Sequence, residues 1–195
     1  MSTKFAQIPA TTFQNLQMNA GILVKTFAPA TGTITDLLGA TTGGVSFTDS
    51  VSYTDFGDDI DNCPKNTKEL KKIDSREVTM SGTFVTVTAE MAKRLAGAAD
   101  IDGTDSTKIV PRDVLESADF EDLWWIGDYS DVNTGANAGF LAIHLLNALN
   151  TGGFSIQSTD KGKGQFAFSF TGHYSMSDQE TVPYEMYVKA GVASA

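Results

Sequence analysis

Cysteine is almost missing from this chain of 195 residues. Cys63 is the only one, which excludes an internal disulfide framework and a multi-cysteine zinc site. Histidine is nearly as scarce, and His144 and His173 alone argue against a His-rich metal centre. Cationic side chains number 14 against 24 anionic ones, a net charge of -10. That balance argues against non-specific binding to nucleic acid or to an anionic membrane, both of which need basic surface. No apolar run approaches the ~20 residues of a membrane-spanning helix. The opening MSTKFAQIPATTF lacks the apolar stretch of a secretory signal, so the expectation is a protein made and kept in the cytoplasm. The length suits one domain, 1–195, with a core large enough to fold without staples.

Catalytic signatures are also lacking. Asp55-Phe56-Gly57 matches a kinase tripeptide, but no Gly-rich nucleotide loop, lysine strand or HRD-type loop accompanies it. Asp100, Asp102 and Asp105 resemble a calcium loop in outline only. Gly103 is misplaced for an EF-hand and position twelve is Pro111, so a turn with exposed carboxylates is the better reading. Gly162-Lys163-Gly164 lacks phosphate-loop spacing and reads as hairpin turn chemistry. Neither histidine has an acid or thiol at a motif-like spacing. With no paired base and nucleophile and no ligand cluster, we expect no enzymatic activity, no cofactor and no structural metal. Trp124-Trp125 is either a ligand platform or, as adjacent strand residues facing opposite ways, one core and one interface residue.

What charge there is, is concentrated. Residues 100–131 hold ten acids against Lys108 and Arg112, net -8 of the chain's -10. Residues 51–75 are bipolar instead. Asp55, Asp58, Asp59 and Asp61 come first, followed by Lys65, Lys68, Lys71 and Lys72. With Gly57, Pro64 and little apolar periodicity, this stretch reads as a long loop or an extended hairpin, and loops of that length are usually functional or disordered. Opposite charges at its two ends would let it pair head-to-tail with a copy of itself.

Where pattern exists, it is mostly of period two. In GQFAFSFTGHYS, Phe166, Phe168, Phe170, Gly172 and Tyr174 share one face, with Gln165, Ala167, Ser169, Thr171 and His173 on the other. GGFSIQSTDKGKG precedes it as the first arm of a β-hairpin, with Phe154 and Ile156 on one face. REVTMSGTFVTV alternates with Val78, Met80 and Phe84 inward. It then changes to a helical period over 88–99, with Thr88 as N-cap and Met91, Leu95 and Ala98 on one face. Ala20–Phe27, Gly44–Thr48, Leu123–Tyr129 and Tyr184–Lys189 are further strand candidates. FLAIHLLNALN is rich in helix formers, yet its Leu141, Ile143, Leu145 alternation favours a strand. About seven or eight strands and one helix predict a mainly β fold, an antiparallel β-sandwich or half-barrel with one flanking α-helix and a long loop. Several strands carry Ser, Thr, Gln and Gly where exposed edges usually carry charge, which points to edges covered by another subunit.

This order of elements resembles the major tail tube proteins of long-tailed, non-contractile bacteriophages. The resemblance covers nearly the whole chain and rests on NALNTGGFSIQSTDKGKGQFAFSFTGHYS and the strand-to-helix step VTVTAEMAKRLAG. It implies a β-sandwich flanked by a helix that forms homo-hexameric rings, which stack into the tail tube of a virion. DNA and the length-setting tape-measure protein pass through, and tail-tip and tail-terminator proteins bound the ends. It also implies that the long loop 51–75 makes contacts between rings, with Asp55, Asp58, Asp59, Asp61, Lys65, Lys68, Lys71 and Lys72 as candidates. The N-terminal arm 1–19 and the tail 190–195 are expected to help. A lumen that lets DNA slide needs a wall without lysines or stacking aromatics, for which Gln157, Thr159, Ser169 and Thr171 are candidates. Asp100, Asp102, Asp105, Asp119, Asp122, Asp128 and Asp131 are candidates for a repulsive field there. Two alternatives are a tube protein of a contractile tail or injection system, and a monomeric ligand-binding sandwich that uses Trp124 or Trp125 as a platform.

Overall fold

Alternating apolar and hydroxyl side chains put most of the chain into strands. The computed structural model describes residues 8–9, 12, 15–129 and 138–190. In these residues eleven strands follow the chain as β1 Ile22–Ala28, β2 Thr33–Leu37, β3 Thr41–Asp55, β4 Lys71–Phe84, β5 Ala99–Ile101, β6 Ile109–Pro111, β7 Glu121–Asp128, β8 Phe140–Asn150, β9 Ser155–Gln157, β10 Gln165–Gly172 and β11 Tyr184–Lys189. One α-helix, α1 Ala89–Ala96, joins β4 to β5. Strand pairing is antiparallel throughout, and the main sheet ends at β2 and β3, so no barrel closes.

The main sheet folds into two layers at β8. The first part of β8 lies between β7 and β11, while Leu149 and Asn150 at its end pair with β10. One layer is therefore β2-β1-β7-β8-β11, and the other is β3-β4-β10 with β9 and the end of β8 on the far side of β10. The change of layer falls at Asn147, whose φ of 46° is left-handed, a conformation asparagine tolerates better than most residues. The β7–β8 register also shifts there, between Glu121 and Leu123. Partners on both sides explain why FLAIHLLNALN is a strand despite its helix-forming composition. Pairing and burial decide the outcome where propensity is a weak prior.

The core lies between the layers. Leu23, Leu123, Trp125, Ile143 and Leu145 from the first meet Val78, Met80, Phe84, Phe166, Phe168 and Phe170 from the second. The predicted inward faces of β4 and β10 are thus as the alternation implied. Tyr174 is not part of that series: β10 ends at Gly172 and the tyrosine is exposed. Ile156 on β9 and Phe154, which lies just before that strand, are also exposed, because β9 is short and pairs only at the sheet margin.

The helix closes one end of the core. The Thr88 hydroxyl accepts from the Met91 N–H at 3.2 Å, an N-cap of the expected kind, and Met91 and Leu95 are buried. Gly97 (φ 81°) terminates the helix, so Ala98 lies beyond it. Asn150, 4 % exposed, pins this end. It donates to Leu95 O (2.6 Å) and Gly153 O (3.0 Å) and accepts from Ser169 N–H (2.8 Å).

Candidate functional site

The longest paired element is the β3–β4 hairpin, which corrects the expectation of a loop over all of 51–75. Tyr53, Thr54 and Asp55 pair with Ile73, Lys72 and Lys71, so only 56–70 is loop. Of the two readings of this stretch, the extended hairpin is the one that forms. β10 accompanies β4 only as far as Val78. From Lys71 to Glu77 the hairpin is a two-stranded ribbon, about 24 Å long at roughly 3.4 Å per residue. Lys71, Lys72, Ile73, Asp74 and Ser75 are all exposed in succession, so both faces of the ribbon meet solvent.

The ribbon is anchored at its root. Arg76 Nη1 lies 2.7 Å from Asp49 Oδ2, and the Tyr184 hydroxyl donates to the same oxygen at 3.0 Å. Burial first, then the Asp49 hydrogen bond, raise the Tyr184 pKa above its ordinary value, so the phenol stays protonated. Phe47 packs on the Tyr184 ring with centroids 5.2 Å apart, tying β3 to β11.

At the tip, Asp55 organises the loop. Its Oδ1 accepts from Gly57 N–H (2.9 Å) and its Oδ2 from Asn66 N–H (2.8 Å). Those two backbone bonds, aided by Lys71 and Lys65, hold its pKa below the usual carboxylate value. Asp55 is thus a turn-building residue. Lys71 also works within the loop, donating to Asn66 Oδ1 at 3.2 Å and lying 5.0 Å from the Tyr53 ring centroid. Asp58, Asp59, Asp61, Lys65, Lys68 and Lys72 are exposed. Charge pattern alone missed the apolar side chains among them. Tyr53, Phe56, Ile60 and Ile73 are all exposed large hydrophobics.

A second surface is the outer face of the β3-β4-β10 layer. Ser46 and Thr48 on β3 stand opposite Ser81 and Thr79 on β4, which in turn stand opposite Ser169 and Thr171 on β10. Gln157 pairs with Gln165 and continues the same face onto β9. Thr159 does not join it. It sits in the turn of the β9–β10 hairpin, where its carbonyl accepts from Gly162 N–H.

The acidic stretch is largely engaged with itself. It carries β5, β6 and β7, and is not one solvated loop. Arg112 gathers Asp100 (2.7 Å), Glu116 (3.4 Å) and Asp119 (2.7 Å). Asp102 Oδ1 accepts from the Thr104 hydroxyl (2.6 Å) and N–H (2.9 Å), and Lys108 reaches its Oδ2 (3.2 Å). These bonds, the Thr104 hydroxyl first, pull the Asp102 pKa down to about 2. Asp105 is held the same way by Thr107. Asp131 lies outside the described residues, as does most of the N-terminal arm and residues 191–195 of the tail.

Asp122 faces the other side of the molecule. Its Oδ2 lies 3.3 Å from His144 Nε2, while Glu185 Oε2 lies 3.4 Å from Nδ1. The imidazole stacks on Trp124 at 3.9 Å and 9°. Trp124 belongs to a separate cluster with Val24, Phe27, Ile126, Phe140 and Ala142 on the outer face of the first layer. Trp125 points into the core, its Nε1–H donating to Ala20 O at 3.1 Å. The two indoles do face opposite ways, but at 7 % and 9 % exposure neither offers an open platform. Sequence spacing gave no sign of the His144 contacts, which reach it from β7 and β11 on either side of β8. His173 is also satisfied, with Nδ1 3.1 Å from Asn147 O.

Among the described residues no group of three His, Cys, Asp or Glu side chains is arranged to hold a metal ion. No described helix is long and apolar enough to cross a membrane. No protein-family model matches the chain, and no curated protein matches it.

Proposed function

We propose that this chain is a self-assembling structural protein, the major tail tube subunit of a long-tailed, non-contractile bacteriophage. In this reading it forms hexameric rings that stack into the DNA-conducting tube and performs no chemistry of its own. The observation that carries the reading is the β3–β4 ribbon. An isolated two-stranded hairpin is marginal in water, yet this one extends beyond the sandwich with Tyr53, Phe56, Ile60 and Ile73 exposed. Such a segment is explained by a surface on another molecule that covers it.

The hydroxyl-lined face supports the second half of the reading. Ser46, Thr48, Thr79, Ser81, Ser169 and Thr171 present no cation to grip phosphate and no ring on which a base can stack. Asp122 contributes little to a field over that face. It lies beyond the opposite layer, sheets pack about 10 Å apart, and the Debye length is about 8 Å at physiological salt. Smoothness of the wall, more than repulsion by that carboxylate, is what this face would provide. Negative-stain microscopy of the purified protein tests the proposal. Rings or tubes with an axial hole are expected, and a monodisperse monomer at all concentrations would overturn it.

A further inference from the structure

One titratable ring is held between two strands on the outer face of the first layer. In the strand registers Trp124 of β7, His144 of β8 and Glu185 of β11 stand in one row. Asp122 reaches that row from the bulged end of β7. The Asp122 carboxylate lies 3.3 Å from His144 Nε2, and the Glu185 carboxylate lies 3.4 Å from Nδ1. An ionised carboxylate only accepts hydrogen bonds, and a neutral imidazole has one N–H. The neutral ring can therefore serve one of these carboxylates, and it must turn a lone pair toward the other. The imidazolium, with two N–H groups, serves both. With 14 % of the His144 side chain exposed, water replaces little of what the carboxylates supply. The Trp124 indole, stacked 3.9 Å from the ring, also attracts a cation over its face. The surrounding charge favours the same form. β7 brings Asp122 and Glu121, β11 brings Glu185 and Tyr187, and β1 brings Lys25. Lys25 and Arg94 are both drawn onto Glu121, which leaves Asp122 and Glu185 to the ring. Glu185 is held below the usual carboxylate value, by the Tyr187 hydroxyl first and then by His144, so it stays ionised.

We propose that His144 is a proton-operated clamp: its imidazolium ties β7 and β11 to β8, and loss of the proton releases one of the two ties. Among the described residues β11 is the last strand of its layer and pairs with β8 alone, so the clamp adds to the hold on an edge strand. The other oxygen of Asp122 accepts from the Asn147 N–H at 3.0 Å, which joins the clamp to the bend where β8 changes layer. The sign follows from the preferred form. Stabilisation by the ring is present at the acid end of the range in which imidazoles titrate, about pH 5–8, and is lost toward the alkaline end. The clamp belongs to the single subunit and does not depend on assembly.

Proton NMR of the histidine rings in the full chain tests the inference, with His144→Gln to assign the His144 signal. Wild type, Asp122→Asn, Glu185→Gln and the double variant are titrated over about pH 5–8, folded and in urea, with circular dichroism to confirm folding. Asn and Gln keep an oxygen that accepts but carry no charge. The folded wild type should lose the His144 proton at a higher pH than the unfolded chain. That displacement should shrink in each single variant and shrink further in the double one. A wild-type ring that titrates no higher folded than unfolded, or one that the double variant leaves unmoved, overturns the clamp. The urea midpoint gives a second readout. The gap between wild type and His144→Gln should narrow as pH rises across the same range, and a constant or widening gap overturns the clamp as well.

Discussion

Replacing Phe168 is the most direct test of how the two layers are held together. The ring is 4 % exposed and lies 4.5 Å from Phe84 and 5.5 Å from Phe170, centroid to centroid. It also covers Gly82 on the paired strand, where an added Cβ would meet Phe168 Cζ at 2.7 Å. Phe168→Ala should therefore cost about 3–5 kcal/mol, the transfer term plus a cavity that its neighbours fill only in part. With a urea slope of about 2 kcal/mol per M, that lowers the unfolding midpoint by about 2 M. Gly82→Ala should cost about 1–3 kcal/mol by overpacking against the same ring. With the ring removed, that added methyl should be accommodated far better, giving a favourable coupling of about 0.5–3 kcal/mol in a double-mutant cycle. Ser169→Ala, next along β10 and facing outward, should change stability by less than about 0.5 kcal/mol. An unchanged midpoint for Phe168→Ala, or strict additivity with Gly82→Ala, would refute the assigned facing of β10 on β4.

The remaining expectations concern the helix end, a turn and the smooth face. Asn150→Ala removes three hydrogen bonds in a buried setting and should cost about 2–3 kcal/mol by chemical denaturation; a loss under about 0.5 kcal/mol would mean that α1 does not depend on it. Thr171→Ala should cost about 0.5–1.5 kcal/mol, since its hydroxyl lies 2.9 Å from that of Thr151. Asp102 has a folded pKa of about 2 against about 3.9 when unfolded. Its contribution is therefore present above the higher value and lost as pH falls through the lower one. The Thr104 amide resonance should titrate with a midpoint at about pH 2, and a midpoint at about pH 4 would show that the turn bonds are not made. Ser81→Lys, placed on the hydroxyl face, should slow DNA passage in a phage ejection assay, with relief at high salt; wild-type ejection would remove that face from the channel.

Local order was legible wherever one face of a strand packs against the core, because a buried face forces alternation. Phe166, Phe168 and Phe170, with Val78, Met80 and Phe84, showed their direction without a neighbour in view. The step from β4 into α1 was equally plain, since Thr88 and the Met91, Leu95 spacing are local signals. The extent of β3 and β4 was not, because the ribbon is exposed on both faces and no buried stripe marks it. β2 escaped for the same reason, and the β5–β6 pair because strands of three residues are too short to show a period. Tertiary structure alone decided that β8 leaves one layer for the other at Asn147, since that depends on which strands lie beside it. It alone brought Asp122, Trp124, His144 and Glu185 together from three strands. It also turned an apparent block of free carboxylates into a cage around Arg112 and two hydrogen-bonded turns. Charge along a sequence counts ions, whereas the field they make depends on which ions are already paired, and pairing is set by distance in three dimensions.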